Sequence, residues 1–418
     1  MQLTAPRRDA LIAQACAAVI VATSIFALSR SAHAQPPEAS HAGEDTNTKS
    51  STLPTASALD VSASSDVTAY ADTDHVYVVT PSIGGSVAKP SAGWSIAGRY
   101  LVDVVSAASV DIVSTASRRW EEVRQAGTID AAYKPGAIGV LASGAVSSEP
   151  DYASFAGGVA ITQDVFDKRV TWLLGVTYGH DVAGRTGTAF SVFSHPLDKG
   201  GAKAALTFVL GPATLLSIGT DVIVESGDPS KVYRYVPMFA PGTSLPRGAS
   251  IDVVTNARLS DRPLEQLPLS RDRFALSALL AHRFRESTLR IDERMYVDSW
   301  GLKATTTDVR YRYDLSRRVE IGPHVRIHAQ TSVDFWQRGY VLSPGNDFPA
   351  LRTGDRELGP LLGITGGARI RIGLGSSAQP KSWIIGFDWN LTHTQFLDDI
   401  YITHRLSTIG ALTLETEL

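Results

Sequence analysis

The feature that most constrains this chain is a two-residue alternation of apolar and polar side chains, sustained through segments of about 10 to 16 residues. Between residues 168 and 180, one face carries Val170, Trp172, Leu174, Val176 and Tyr178, and the other carries Arg169, Thr171, Gly175 and Thr177. Successive side chains of a β-strand point to opposite faces, so each segment predicts a strand with one apolar and one polar side. This pattern is typical of a transmembrane barrel.

The connections between these segments alternate between short turns and long loops. The long loops are predicted at residues 105–117, 181–199, 228–270 and 336–358. Outer-membrane barrels have short periplasmic turns and long extracellular loops, so we predict an all-β, transmembrane antiparallel β-barrel of about 16 strands, with a range of roughly 14 to 18. The predicted strands are 61–71, 75–88, 93–104, 118–133, 136–148, 152–165, 168–180, 200–211, 213–227, 271–284, 287–299, 302–315, 318–335, 360–374, 382–394 and 400–417.

The N-terminus has the pattern of a cleaved secretory signal peptide. Arg7 and Arg8 precede an apolar run from Ala10 to Leu28, and residues 32–34 read Ala-His-Ala. We expect residues 1–34 to be removed after Ala34, the alternative being an uncleaved membrane anchor. Residues 35–58 are rich in polar residues and proline and predict a disordered periplasmic leader. The barrel is then expected to occupy residues 59–418, in the bacterial outer membrane.

An eight-residue unit is written twice in succession, at residues 102–109 and 110–117. Its recurring aspartates and serines suit a structured loop in which side chains bond to the local backbone. The alternative interpretation is a site for a cation or another ligand. The residues concerned are Asp103, Ser106, Ser109, Asp111, Ser114 and Ser117.

Several short motifs accompany the tandem repeat. They include Tyr-Arg-Tyr-Val-Pro at 233–237, Glu-Gln-Leu-Pro at 265–268, Asp-Ser-Trp-Gly at 298–301, Gly-Pro-His at 322–324 and Arg-Thr-Gly-Asp-Arg-Glu-Leu-Gly at 352–359. With these motifs the chain resembles, over roughly residues 66–418, domain-of-unknown-function family 3570, a family of uncharacterised bacterial outer-membrane proteins. The resemblance implies an outer-membrane barrel. It implies no reaction and no catalytic residues.

One face of the predicted strands carries most of the charge and is expected to line the lumen. The lumen candidates are Asp292, Arg294, Asp308, Arg310, Arg312, Glu320, His324, Arg326, Asp334, Arg369 and Asp388. Like charges directly opposite each other destabilise a strand pair, so we choose the register that opposes unlike charges. This register places Asp292 opposite Arg310, Arg294 opposite Asp308, Asp308 opposite His324, Arg312 opposite Glu320 and Asp314 opposite Arg318. It predicts a mixed-charge ladder with Asp308 between Arg294 and His324.

Two long loops end in clusters of charge. Arg352, Asp355, Arg356 and Glu357 precede one strand, and Glu265 and the Arg271-Asp272-Arg273 triplet precede another. Each cluster is interpreted either as a salt-bridged loop base or as an anion-binding loop folded into the channel.

The mature chain shows no sign of nucleic-acid binding. Without Arg7, Arg8, Asp9 and Arg30 it has 36 basic and 41 acidic residues, a net charge of −5. It therefore lacks the excess of basic residues that binds a phosphate backbone. The expected partners are outer-membrane lipid and small polar solutes, with no cofactor and with the oligomeric state open.

Among the histidines, His324 and His328 lie about 13 Å apart on one strand and cannot share a zinc ion unaided. We predict a channel or uptake protein for small polar solutes. The alternatives are a closed surface scaffold and, more weakly, a hydrolase.

Overall fold

A computed structural model describes residues 59–106, 121–343, 345, 347–375 and 382–417. The predicted signal peptide and leader lie outside the described residues. The barrel consists of β1 (Asp60–Asp72), β2 (Tyr77–Lys89), β3 (Trp94–Ser106), β4 (Glu121–Tyr133), β5 (Ile138–Glu149), β6 (Tyr152–Val165), β7 (Val170–Ala183), β8 (His195–Gly211), β9 (Thr214–Gly227), β11 (Ser270–Arg283), β12 (Ser287–Asp298), β13 (Lys303–Asp314), β14 (Val319–Gln330), β16 (Leu361–Leu374), β17 (Trp383–Phe396) and β18 (His404–Glu417).

These sixteen strands form a closed antiparallel barrel in which each strand pairs with the next one along the chain. The barrel closes where β1 pairs with β18, from Ser62 opposite Glu417 to Asp72 opposite Ser407. Closure leaves no sheet edge whose backbone groups would face lipid without partners. The predicted sixteen-stranded barrel is therefore confirmed.

The two faces of the wall differ as the alternation predicts. On β7 the even positions Leu174, Val176 and Tyr178 are more than half exposed on the outside. The odd positions face inward, and there the buried carboxylate of Asp181 accepts a hydrogen bond from the hydroxyl of Ser154 at 2.6 Å. An apolar exterior is stable because lipid covers it, whereas the polar interior needs water or polar partners.

The ends of the barrel differ in their connections. At one end, here called the turn end, β8 and β9 are joined through only two residues, and most other links there are similarly short. At the other, called the loop end, lie the links 184–194, 228–269 and 331–360. Three predicted boundaries differ from the structure by four residues or more. β8 begins at His195 rather than 200, because its pairing with β7 continues to Ala183 opposite His195. β18 begins at His404 rather than 400.

The third difference is at β14, which ends at Gln330 rather than 335. The chain leaves the wall there because Val333, only 1 % exposed, packs into an apolar cluster with Leu267, Trp300 and Leu302. Burial of such side chains stabilises by about 1.5 to 3 kcal/mol each. Continuing the strand would expose Val333 to lipid or lumen and lose this cluster.

The two longest loops, residues 228–269 and 331–360, fold together at the loop end and are here called the cap. Their contact includes a short parallel pair, β10 (Met238–Phe239) with β15 (Tyr340–Val341). The cap also contains helix α1 (Ile251–Ala257), whose first turn begins at Ser250, with its hydroxyl accepting a hydrogen bond from the backbone N–H of Val253 at 3.3 Å. Among the described residues, no helix is long and apolar enough to cross a bilayer.

The cap reaches across the mouth of the barrel. Its Arg356 guanidinium lies 2.8 Å from Asp74, between β1 and β2. Its Tyr233 hydroxyl donates a 2.7 Å hydrogen bond to Asp151, between β5 and β6. Its Trp336 indole donates a 3.2 Å hydrogen bond to the backbone carbonyl of Asp398, between β17 and β18. These contacts are spread around the rim, so the cap spans the opening rather than lying to one side.

Candidate functional site

The predicted lumen residues of β12, β13 and β14 all lie on the inner face of the wall. The opposite face carries exposed apolar side chains such as Met295, Val325 and Ile327. Since side chains alternate along a strand, the even positions beside them point inward. The residues so placed are Asp292, Arg294, Asp308, Arg310, Arg312, Glu320, His324 and Arg326. Their role along a solute path stays a prediction.

The predicted register of these strands is wrong by two residues in each pair. Asp292 lies opposite Asp308, and Asp314 lies opposite Glu320, so like charges face each other directly. Ion pairs along the same strand offset the repulsion, because the carboxylate of Asp292 lies 2.6 Å from Arg290, two positions away. Opposed charges are therefore not required for a stable register when each carboxylate has a partner elsewhere.

Asp308 has one of its two predicted neighbours. Its carboxylate lies 2.9 Å from His324 Nε2 and 2.9 Å from Arg310 Nε. The other nitrogen of His324, Nδ1, lies 2.8 Å from the side-chain oxygen of Asn390. The predicted contact with Arg294 is absent, since that guanidinium lies 3.5 Å from Asp221 on β9. Arg310 accordingly pairs with Asp308 and not with Asp292.

The remaining lumen candidates divide between the wall and the cap. Arg369 and Asp388 face inward, with 3.4 Å between the guanidinium Nε and the carboxylate. Glu320 lies opposite Arg371 on β16, and the predicted pairs of Arg312 with Glu320 and of Asp314 with Arg318 are not opposed. Asp314 instead lies 2.5 Å from Arg283. Asp334 was predicted to line the lumen, but it lies in the cap, where its backbone N–H bonds to the carbonyl of Trp300 at 2.8 Å.

The tandem octapeptide begins in the wall. Asp103 belongs to β3, is only 8 % exposed and accepts a 2.6 Å hydrogen bond from Arg124 Nε on β4. Its assignment to a loop was therefore wrong, because the strand ladder of β3 and β4 continues to Ser106 opposite Glu121. Ser109, Asp111, Ser114, Ser117 and the side chain of Ser106 lie outside the described residues, and both interpretations of the repeat remain predictions.

A buried charge network holds the two cap loops together. The carboxylate of Glu265 is fully buried and lies 3.2 Å from the guanidinium of Arg234. The hydroxyl of Thr353 in the other loop donates a 2.6 Å hydrogen bond to the same carboxylate. Arg234 also contacts Asp355, at 2.7 Å. Burial would raise the pKa of Asp355, but the charge and hydrogen bonds of Arg234, aided by Lys231, lower it below its usual value.

The Arg352–Gly359 motif has the geometry of a salt-bridged loop base. Arg356 pairs with Asp74 at 2.8 Å, and Glu357 lies 3.4 Å from Arg405 of β18. The guanidinium of Arg352 donates to the backbone carbonyls of Leu264 and Pro349, both at 2.8 Å. These groups are engaged within the protein, so the arrangement favours the structural interpretation over an anion site at this motif.

A cavity of about 620 Å³ lies beneath the cap. Its walls come from the inner faces of β8, β9 and β11–β14, and its roof includes Lys231, Asp355 and Leu358 of the cap. Six basic and three acidic side chains line it. Burial, together with the nearby Arg234, lowers the pKa of Lys231 to about 8. Sequence reasoning missed Lys199 and Lys231 as cavity residues, because nothing in a local pattern shows that they converge.

A second cavity of about 200 Å³ adjoins the first along the wall. Arg294, Thr306 and Arg326 line both cavities, so these three residues mark where the two spaces meet. Within the described part of the chain, no group of three or more His, Cys, Asp or Glu residues is placed to hold a metal ion.

Residues 198–383 match the family model described as "Protein of unknown function (DUF3570)", which confirms the predicted family resemblance over that segment. The tandem repeat lies outside the matched range. No curated protein matches the chain.

Solved structures similar in fold include CdiB from Acinetobacter baumannii, with 10 % identity, a TM-score of 0.48 and coverage of 85 % of this chain and 60 % of that one. The siderophore receptor PirA from Pseudomonas aeruginosa has 12 % identity, a TM-score of 0.39 and coverage of 80 % and 56 %. The outer membrane protein OpdK from Pseudomonas aeruginosa has 7 % identity, a TM-score of 0.42 and coverage of 86 % and 99 %. The chain thus spans less than two thirds of CdiB and PirA but nearly all of OpdK.

Proposed function

We propose that this barrel carries small polar solutes across the outer membrane through its lumen, and that the cap controls access at the loop end. The loop end would face outward, and residues 1–34 would be removed on export, as such barrels require. The observation that carries the proposal is the cavity of about 620 Å³ between the cap and the charged inner wall.

The charged side chains that line this cavity are arranged for contact with a solute and not only for stabilising the barrel wall. A wall that only stiffened the barrel would neutralise its charges pairwise and fill the space with side chains. Here Arg294 keeps about half of its side chain exposed to the lumen, and the cavity volume lies within the range of small-molecule sites, roughly 300 to 1,000 Å³. The second cavity extends the polar space along the wall.

The test is conductance in planar bilayers, with a reversible tether on the cap. The backbone N–H of Ala249 bonds to the carbonyl of Ile400 at 2.7 Å, joining the cap to the β17–β18 link. Backbones this close suit a disulfide, so the double variant Ala249→Cys/Ile400→Cys can lock the cap. The only natural cysteine, Cys16, lies in the predicted signal peptide and would not interfere after cleavage.

The refolded protein is expected to conduct, and oxidation of the double variant should reduce the open fraction, with recovery on reduction. The two single-cysteine variants, treated identically, are the controls. Conductance that is unaffected by oxidation would contradict control by the cap. Absence of conductance in every form would contradict the channel itself.

A second candidate, a closed surface scaffold, is favoured by one observation: the cap spans the mouth and is held by buried ion pairs. A heat-modifiable, correctly folded barrel with no conductance and no solute permeation would support it.

A further inference from the structure

We propose that Arg294 and Arg326, where the two cavities meet, form a binding site for small dicarboxylates. The inference rests on the proposed function for its role in transport, because it names the class of solute that the lumen would select. The binding itself can be measured without transport.

Arg326 is a lumen-facing basic side chain that has no carboxylate partner among the described residues. Its direct neighbour on β13 is Asp308, but that carboxylate is held by Arg310 and His324, each at 2.9 Å. Among the described residues, no Asp or Glu oxygen forms an ion pair with Arg326. On β16 its direct neighbour is Thr365. The N–H donors of this guanidinium are therefore available to the cavity.

Arg294 supplies a second guanidinium on the same inner face. Its contact with Asp221 is long, at 3.5 Å, and about half of its side chain is exposed. Only β13 separates the strands that carry Arg294 and Arg326, and Arg294 is in line with His328, two residues from Arg326, so the two backbones lie about 12 Å apart. Guanidinium groups bind carboxylates through paired N–H donors. Two of them at this spacing suit a short molecule with a carboxylate at each end.

The surrounding charge favours an anion over a cation or a neutral sugar. The cavity beneath the cap has an excess of basic side chains, and its three acidic ones are ion-paired: Glu225 lies 2.7 Å from Arg273, Asp355 lies 2.7 Å from Arg234, and Glu357 lies 3.4 Å from Arg405. A concave site lined by one excess sign of charge raises the local concentration of the opposite ion.

The experiment is calorimetric titration of detergent-solubilised protein with succinate at low ionic strength. Wild type is compared with Arg326→Gln, Arg294→Gln and a matched control, Arg99→Gln. Arg99 also faces the lumen but lies on β3 and is ion-paired with Asp66 at 2.7 Å. The control thus removes the same charge elsewhere on the wall.

Succinate is expected to bind wild type and Arg99→Gln within about twofold of each other, and to bind either site variant at least tenfold more weakly, as the loss of a charge-assisted pair implies. Heat-modifiable migration confirms that each variant is folded. The proposal is overturned if succinate does not bind wild type, or if Arg99→Gln weakens binding as much as Arg326→Gln.

Bilayer measurements separate this inference from the proposed function. Succinate binding without conductance would contradict the channel but leave the site standing. Conductance without succinate binding would contradict the site but leave the channel standing.

Discussion

Replacement of Glu265 by alanine should loosen the cap without opening the barrel. The buried carboxylate accepts hydrogen bonds from the side chains of Arg234 and Thr353, at 3.2 and 2.6 Å, and from the backbone N–H of Lys231 at 3.1 Å. In Glu265→Ala these three donors lose an acceptor in a site from which water is excluded. Removing one partner of a buried ion pair costs about 3 to 5 kcal/mol.

That cost should appear in local opening of the cap, because the network belongs to the cap and not to the strand ladder. A loss of about 3 kcal/mol corresponds to roughly a hundredfold increase in the opening equilibrium. Hydrogen exchange reports such opening amide by amide. The amides to follow are those of Gln266 and Arg352, which bond to each other's carbonyls at 2.9 Å across the two loops.

The matched control is Glu357→Ala, which removes a carboxylate from the same cap. Glu357 has a side chain 58 % exposed and lies 3.4 Å from Arg405, so its loss should change exchange by less than about fivefold, as for a surface ion pair. Exchange at Gln266 that is equal in both variants would refute the reasoning, and so would faster exchange in strands such as β7.

Three further predictions follow from the geometry. A basic residue on the lipid face should cost about 2 to 4 kcal/mol near mid-membrane, so urea-induced unfolding of Val176→Arg is expected at lower denaturant than that of Val176→Leu, and equal midpoints would contradict the lipid-facing assignment. Asp308→Cys should react with a water-soluble thiol reagent and Val309→Cys with a lipid-phase probe, and the reverse result would place Asp308 on the outside. The pKa of Lys231 falls from 10.5 in the unfolded chain to about 8 in the folded protein. Between these pH values the unfolded chain binds more protons, so the free energy of unfolding should rise with pH. Loss of the Lys231 charge should also weaken succinate binding above pH 8. In Lys231→Met, neither the free energy of unfolding nor succinate binding should change with pH in this way.

The strands and their faces could be predicted from sequence because the strand period is a local property of the backbone. Apolar and polar side chains alternate through β7 and β14 whatever their neighbours are, and the count of segments gave the sixteen strands and their connections. The predicted end of β14 was wrong because Val333 turns away from the barrel wall and packs against residues that are distant in sequence.

The register of β12, β13 and β14 could not be predicted from opposed charges, because ion pairs form along a strand and diagonally as well as directly across it. Arg290 with Asp292, and Arg310 with Asp308, satisfy their charges within single strands. The direct opposition of Asp292 and Asp308 then carries little penalty, and pairing over the whole wall decides the register.

The cap and the candidate site depend on contacts between residues far apart in sequence. Arg356 pairs with Asp74, and Arg234 joins Glu265 to Asp355. The sequence by itself determined a barrel with an apolar exterior and a charged lumen, because alternation is readable one strand at a time. Only the tertiary structure decided which charges have partners and which, such as Arg326, have no carboxylate partner in the described part of the chain, because that depends on how distant strands and loops converge.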